Sequence, residues 1–168
     1  EPGAVDADLG LAEYVAHVSE QVEQSPDDEL VVVAHSIGGV VGTEVAAAFP
    51  DRVVGFVGVC AAIPNQGGSF LSCLPFPQRT LQRILTRVVG TKPPDSVVRR
   101  SLCAGLSAAH TDRIVDGFTP ESRRLYTDHV EAGPPDVPSL YVQTTEDPEF
   151  GRSLQAAMAA TLGAENTV

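Results

Sequence analysis

The chain has 168 residues, 43% of them hydrophobic, which is enough for one compact domain with a buried core. Acidic residues outnumber basic ones 22 to 11, for a formal charge of −11, and a surface of that sign repels phosphate backbones, so nucleic-acid binding is disfavoured. No run approaches the ~18–20 apolar residues of a membrane span, and no signal peptide opens the chain.

The start Glu1-Pro2-Gly3 lacks an initiator, and Met158 is the only methionine, so the chain reads as a piece of something longer. Cys60, Cys73 and Cys103 lack metal-ligand spacing and read as small buried residues. Their odd number and the acidity point to a reducing cytoplasm.

In residues 9–24, Leu11, Val15, Val18 and Val22 recur at the spacing of one helix face. Ser25-Pro26-Asp27-Asp28 turns the chain. Residues 30–34 are wholly apolar, as in a parallel strand covered on both faces. A helix over 38–49 ends at Pro50-Asp51, and a second buried strand spans 53–60, completing a βαβ unit.

Residues 65–136 carry most of the prolines and paired arginines and no buried-strand pattern. Helices are expected over 78–89, 95–108 and 120–130, an insertion longer than an ordinary crossover. The chain then divides into a core part (1–64), a helical cap or lid (65–136) and a returning core part (137–168), together one structural unit. A strand over 139–144 leads to a helix with Phe150, Leu154, Ala157 and Thr161 on one face, and 164–168 begins another strand. The fold class is α/β, with a mostly parallel sheet and flanking helices.

One short stretch carries chemistry. In Ala34-His35-Ser36-Ile37-Gly38-Gly39 a serine sits between the first strand and the following helix. A serine hydroxyl is a poor nucleophile unless it is presented to the substrate and a base takes its proton. A sharp strand-to-helix turn presents it, with small residues around it so that strand and helix can approach, and aims backbone N–H groups at a bound carbonyl. Ser36 would be the tip, Gly38 and Gly39 the small residues, and Ile37 the oxyanion-hole donor through its N–H. Ala34 stands where the pattern usually has glycine. The alternative is that Ser36 caps the helix. His35 precedes the tip, cannot swing round as its base, and reads as a packing residue.

Downstream, a strand runs into Thr144-Thr145-Glu146-Asp147-Pro148. A carboxylate just past a strand's C-terminal end is where an open α/β sheet puts its chemistry, and its task would be to orient a histidine. Asp147 is favoured over Glu146 because its shorter side chain sits nearer the helix start. The alternative is an N-cap.

At these residues the chain resembles the α/β-hydrolase superfamily. Residues 34–39 look like its nucleophile elbow in the form G-H-S-x-G-G, and Phe49-Pro50-Asp51-Arg52-Val53 and Ala61-Ala62-Ile63-Pro64 look like the helix end and strand that follow. Thr145-Glu146-Asp147, before a helix ending Leu162-Gly163-Ala164, is similar to the plant methylesterase and hydroxynitrile-lyase branch and its bacterial esterase relatives. The resemblance implies a partial α/β-hydrolase fold with an all-helical cap insertion. It also implies a serine hydrolase of small or medium carboxylic esters that forms an acyl-enzyme and needs no metal or organic cofactor. Ser36 would be the nucleophile and Asp147 the triad acid. The family's histidine follows its last strand, which here would place it beyond Val168. His17, His110 and His129 do not fill that role, and the isolated 168 residues should be inactive or weakly active.

Phe70, Leu71, Leu74 and Phe76 would either line an apolar substrate pocket or form cap core. Two other functions fit the pattern. Hydroxynitrile cleavage would call for a cap lysine, and the only lysine is Lys92 beside Pro93-Pro94. A non-catalytic small-ligand binder is compatible with the fold alone. An uncovered sheet edge would favour self-association.

Overall fold

A computed structural model describes residues 9–88, 90–164 and 166–168, so residues 1–8, Val89 at the end of an expected helix and Glu165 in the last expected strand lie outside the described residues. The element order is α1 (Leu11–Gln24), β1 (Leu30–His35), α2 (Gly38–Ala48), β2 (Val53–Val59), α3 (Phe70–Cys73), α4 (Gln78–Val88), α5 (Asp95–Ser101), α6 (Ala108–Asp116), α7 (Arg123–Thr127), β3 (Ser139–Val142), α8 (Arg152–Leu162) and β4 (Asn166–Thr167). The strands form one sheet in the order β1-β2-β3-β4. All three pairings are parallel, with His35 opposite Val59 and Val59 opposite Val142. The C-terminal ends of β1, β2 and β3 are therefore level.

β2 lies inside the sheet, and Val53, Gly55, Phe56 and Gly58 are buried. β1 lies at the edge. Its Ala34 packs inward, whereas Val31 and Val33 are 56% and 69% exposed. Among the described residues one face of β1 is open, as expected of an uncovered sheet edge, and an apolar groove of about 570 Å³ runs along the strand between Val18, Val31, Val33 and Leu125.

The main core joins Val40 of α2, Phe56 of β2, the segment Ala61–Ala62–Ile63, Leu71 of α3 and Tyr141 of β3, each 1% exposed or less. Burying a side chain as large as Phe56 is worth ~1.5–3 kcal/mol. Tyr141 also donates its hydroxyl to the Ala61 carbonyl at 2.8 Å, which satisfies its polar end and fixes the chain leaving β2. Arg52 reaches across two turns, donating to the carbonyls of Val22, Ser25 and Asp27, and so ties the end of α1 to the end of α2.

Among the described residues between β2 and β3 the regular elements are helices: α4 follows the helix expected over 78–89, and the other two expectations are changed. The expected helix over 95–108 is only α5, because the chain turns through Gly105 at φ 79°, and Ser107 accepts from the His110 N–H to start α6, which was not expected. The expected helix over 120–130 is only α7, begun by Ser122, which accepts from the Arg124 N–H. The four-residue α3 was not anticipated. Val98 and Cys103 pack with Val115 as a second small core. In α8 the buried residues are Gln155, Met158, Ala159 and Leu162, so the expected face of Leu154, Ala157 and Thr161 is corrected by about one residue of rotation. Among the described residues, no helix is long and apolar enough to cross a membrane.

Candidate active site

The turn after β1 forces one residue out of the ordinary backbone range. Ser36 has φ 51°, a left-handed conformation that costs an L-residue ~1–2 kcal/mol. Three hydrogen bonds hold it there. Its N–H donates to the Val59 carbonyl at 3.4 Å, and its carbonyl accepts from the Gly39 N–H at 3.1 Å and the Ala62 N–H at 2.9 Å. Ser36 is thereby tied to the segment leaving β2 as well as to α2.

Close approach explains the small residues. A Cβ on Gly39 would lie 2.3 Å from the Ala62 carbonyl oxygen, so only glycine fits. One turn along, a Cβ on Gly42 would meet Val32, Ala34 and Phe56 at 3.2–3.3 Å. The Ala34 methyl, in the place where the pattern has glycine, thus packs toward α2 at the Gly42 position. Gly38 has open space around it.

The capping alternative for Ser36 is not what the structure forms. Ile37, not Ser36, is the N-cap residue of α2, and no side chain caps that helix. Among the described residues the Ser36 hydroxyl has no hydrogen-bond partner and the Ile37 N–H has no acceptor. A free N–H at the start of an 11-residue helix is the kind of donor that stabilises an oxyanion. His35 is exposed, which corrects its reading as a packing residue.

Asp147 stands five residues past the end of β3 and faces the same end of the sheet. Its Oδ1 accepts from the N–H groups of Glu149 and Phe150, both at 2.8 Å, which is the capping role in part. α8 itself begins only after Gly151. The other oxygen, Oδ2, accepts from the Thr144 hydroxyl at 3.2 Å and the Cys60 thiol at 3.3 Å. Burial by itself would raise the Asp147 pKa. The amides of Phe150 and Glu149, joined by Cys60 and Thr144, outweigh burial and hold the carboxyl below its ordinary value. Glu146 is exposed.

Cys60, the residue after β2, links the two halves. Its N–H donates to the Val142 carbonyl at 3.0 Å, its backbone is left-handed at φ 44°, and its thiol meets Asp147. Burial pushes the thiol pKa up to about 11, with the neighbouring Asp147 adding to it, so this sulfur is a neutral donor and not a nucleophile. The sequence reading treated Cys60 only as a buried apolar residue. Its position at a strand's C-terminal end was the available signal. Thr144 and Gln155, which hold the Asp147 loop, were likewise missed.

The remaining candidates lie elsewhere. Phe70, Leu71 and Leu74 are buried in the main core, and Phe76 is 83% exposed. His17 pairs with Gln21 on α1, His110 is exposed on α6, and His129 meets the Gly67 carbonyl at 2.6 Å. None of them bonds Ser36 or Asp147. Among the described residues no three His, Cys, Asp or Glu side chains gather as metal ligands.

The profile of the alpha/beta hydrolase family matches residues 1–168. A sequence search among curated proteins finds no match. Among solved structures, an extracellular alpha/beta-hydrolase from a Paenibacillus species, described as sharing structural and functional homology with tobacco salicylic acid binding protein 2, superposes with a TM-score of 0.81 at 20% identity. That alignment covers 97% of this chain and 71% of that one. The methylesterase MES16 from Arabidopsis gives 0.71 at 18% identity, covering 94% and 66%. A pyrethroid hydrolase from Sphingobium faniae JZ-2 gives 0.69 at 16%, covering 95% and 68%. At these identities the likeness establishes the fold, and the chain spans about two thirds of each structure's length.

Proposed function

Because the chain belongs to the alpha/beta hydrolase family, we propose that it carries the nucleophile and acid of a serine hydrolase acting on small or medium carboxylic esters. The observation that supports this best is Ser36: a left-handed residue with an unengaged hydroxyl, held at the carboxyl end of a parallel sheet two strands from a hydrogen-bonded carboxylate.

In this mechanism the Ser36 Oγ attacks the ester carbonyl carbon while a histidine takes its proton. The oxyanion that forms accepts from the Ile37 N–H. The histidine then protonates the departing alcohol, and water attacks the acyl-serine by the same route in reverse. Asp147 presents Oδ2 to the histidine, fixing its tautomer and stabilising its positive charge. Neither His17 nor His129 bonds Ser36 or Asp147, which supports a reading in which the histidine, and a second oxyanion donor, come from elsewhere in the full-length protein. No metal or organic cofactor takes part. Residues 65–136 act as a cap over the ester, and the burial of Phe70, Leu71 and Leu74 in the main core supports a packing role for them. The methylesterase and pyrethroid hydrolase named above make esters with a modest acyl or alcohol part the first substrates to try.

The test uses the full-length protein and short-chain p-nitrophenyl esters. Ser36→Ala should lower kcat by ~10³-fold or more, and Asp147→Asn by ~10²-fold or more, with folding intact. Turnover undiminished in Ser36→Ala would overturn the proposal.

A further inference from the structure

The stripe that α8 buries contains one polar residue. Met158, Ala159 and Leu162 are what a helix presents to a core, yet Gln155 beside them is 0% exposed. A buried amide is unfavourable by several kcal/mol unless its donors and acceptor are all matched. Here they are, and every partner lies in the loop 144–150. Gln155 Oε1 accepts from the Thr144 N–H at 2.9 Å, while Nε2 donates to the carbonyls of Thr144 at 2.9 Å and Phe150 at 2.5 Å. A backbone N–H on one side and two carbonyl oxygens on the other leave a single orientation for the amide.

The chain of bonds continues. Gln155 Nε2 also lies 3.2 Å from the Thr144 hydroxyl oxygen. A hydroxyl has one hydrogen, and Asp147 Oδ2 at 3.2 Å is a nearer acceptor for it than Gln155 Oε1 at 3.5 Å. The hydroxyl therefore donates to the carboxylate, and Gln155, whose two amide hydrogens go to the Thr144 and Phe150 carbonyls, acts on it by holding the Thr144 backbone. By gripping the Phe150 carbonyl, the same residue also steadies the backbone whose Glu149 and Phe150 amides hold Oδ1. From the other side Cys60 supplies the remaining donor.

We propose that Gln155, acting through Thr144, is the positioning residue of the Asp147 carboxylate: it fixes both ends of the loop, and with them the Thr144 hydroxyl and the Glu149 and Phe150 amides that bond the carboxylate, and so sets the plane in which Oδ2 meets the histidine. The inference rests on the reading of Asp147 as the triad acid. It assigns Gln155 and Thr144 to catalysis at a distance, because neither touches the ester. A carboxylate free to swing would still hold charge but would orient its partner poorly, and small misplacements of catalytic groups are expensive in rate.

The experiment compares Thr144→Val, Thr144→Ser, Gln155→Met and Asp147→Asn in the full-length protein, with p-nitrophenyl ester turnover and backbone amide exchange as readouts. Thr144→Val should lower kcat about tenfold with KM unchanged, the size of one lost bond to a charged group, and Thr144→Ser should restore it. Gln155→Met should lower kcat at least as much and speed exchange of the Glu149 and Phe150 amides. Should Gln155→Met fail to fold, the Thr144 pair decides alone. Wild-type kcat in Thr144→Val beside a dead Asp147→Asn would overturn the positioning role and leave the acid standing. Undiminished turnover in Asp147→Asn would remove the acid reading and this inference with it.

Discussion

Replacing Gly39 with alanine tests how tightly the turn bearing Ser36 is built. The added methyl would lie 2.3 Å from the Ala62 oxygen and 3.1 Å from the Ala61 Cβ, and the obstacle is backbone that cannot rotate aside. To admit it, the segment after β2 must retreat from α2. That movement strains the Ala62 N–H bond to the Ser36 carbonyl, now 2.9 Å. Overpacking of this kind costs ~1–3 kcal/mol and the weakened bond about 1 kcal/mol more. Alanine's better helix propensity returns up to ~1 kcal/mol. The net loss is about 1–3 kcal/mol, which lowers Tm by about 3–9 °C in a chain of this size. Thermal unfolding followed by circular dichroism measures it. Gly38→Ala is the control: a Cβ there meets nothing within 4 Å, so the same change one residue away should be neutral or slightly stabilising. Equal Tm values for the two variants would refute the close-approach argument.

Ser36→Gly relieves the left-handed backbone at φ 51° and loses no hydroxyl hydrogen bond, so it should raise stability by ~0.5–1 kcal/mol while abolishing ester turnover. A lower Tm in that variant would show that the turn is not strained. For Asp147, whose folded pKa lies below the unfolded value of about 3.9, the stabilisation is fully present above that value and is lost as pH falls through the folded pKa. The stability advantage of wild type over Asp147→Asn should be flat above about pH 5 and shrink as acid is added. Urea titrations across that range measure it, and an advantage that grew toward low pH would contradict the sign.

The sheet was legible because its strands are short runs of Val, Leu and Phe between turn residues, and residues 30–34, 53–60 and 139–144 became β1, β2 and β3 within one or two residues. The turn at Ser36 was legible for the same reason, since a strand, two glycines and an Ala/Val-rich helix leave little else for the serine to do. The region between β2 and β3 was less so. Leu102 and Gly105 break what periodicity joins, and the Ser107 cap that starts α6 shows in sequence only to a reader who allows a helix of 9 residues. Val31 and Val33 lie exposed because β1 is the edge strand among the described residues. The support of Asp147 was invisible for a related reason. Cys60 lies 87 residues from its carboxylate partner, and Gln155 interrupts an apolar stripe in a way that makes sense only once loop 144–150 folds over it.

The most direct measurement of the central claim is the intact mass of the full-length protein after treatment with a phosphonate ester that traps serine nucleophiles, followed by peptide mapping. The account predicts one adduct per chain, located on Ser36 and absent from Ser36→Ala. Ester turnover without an adduct on Ser36, or an adduct on another residue that persists in Ser36→Ala, would contradict it.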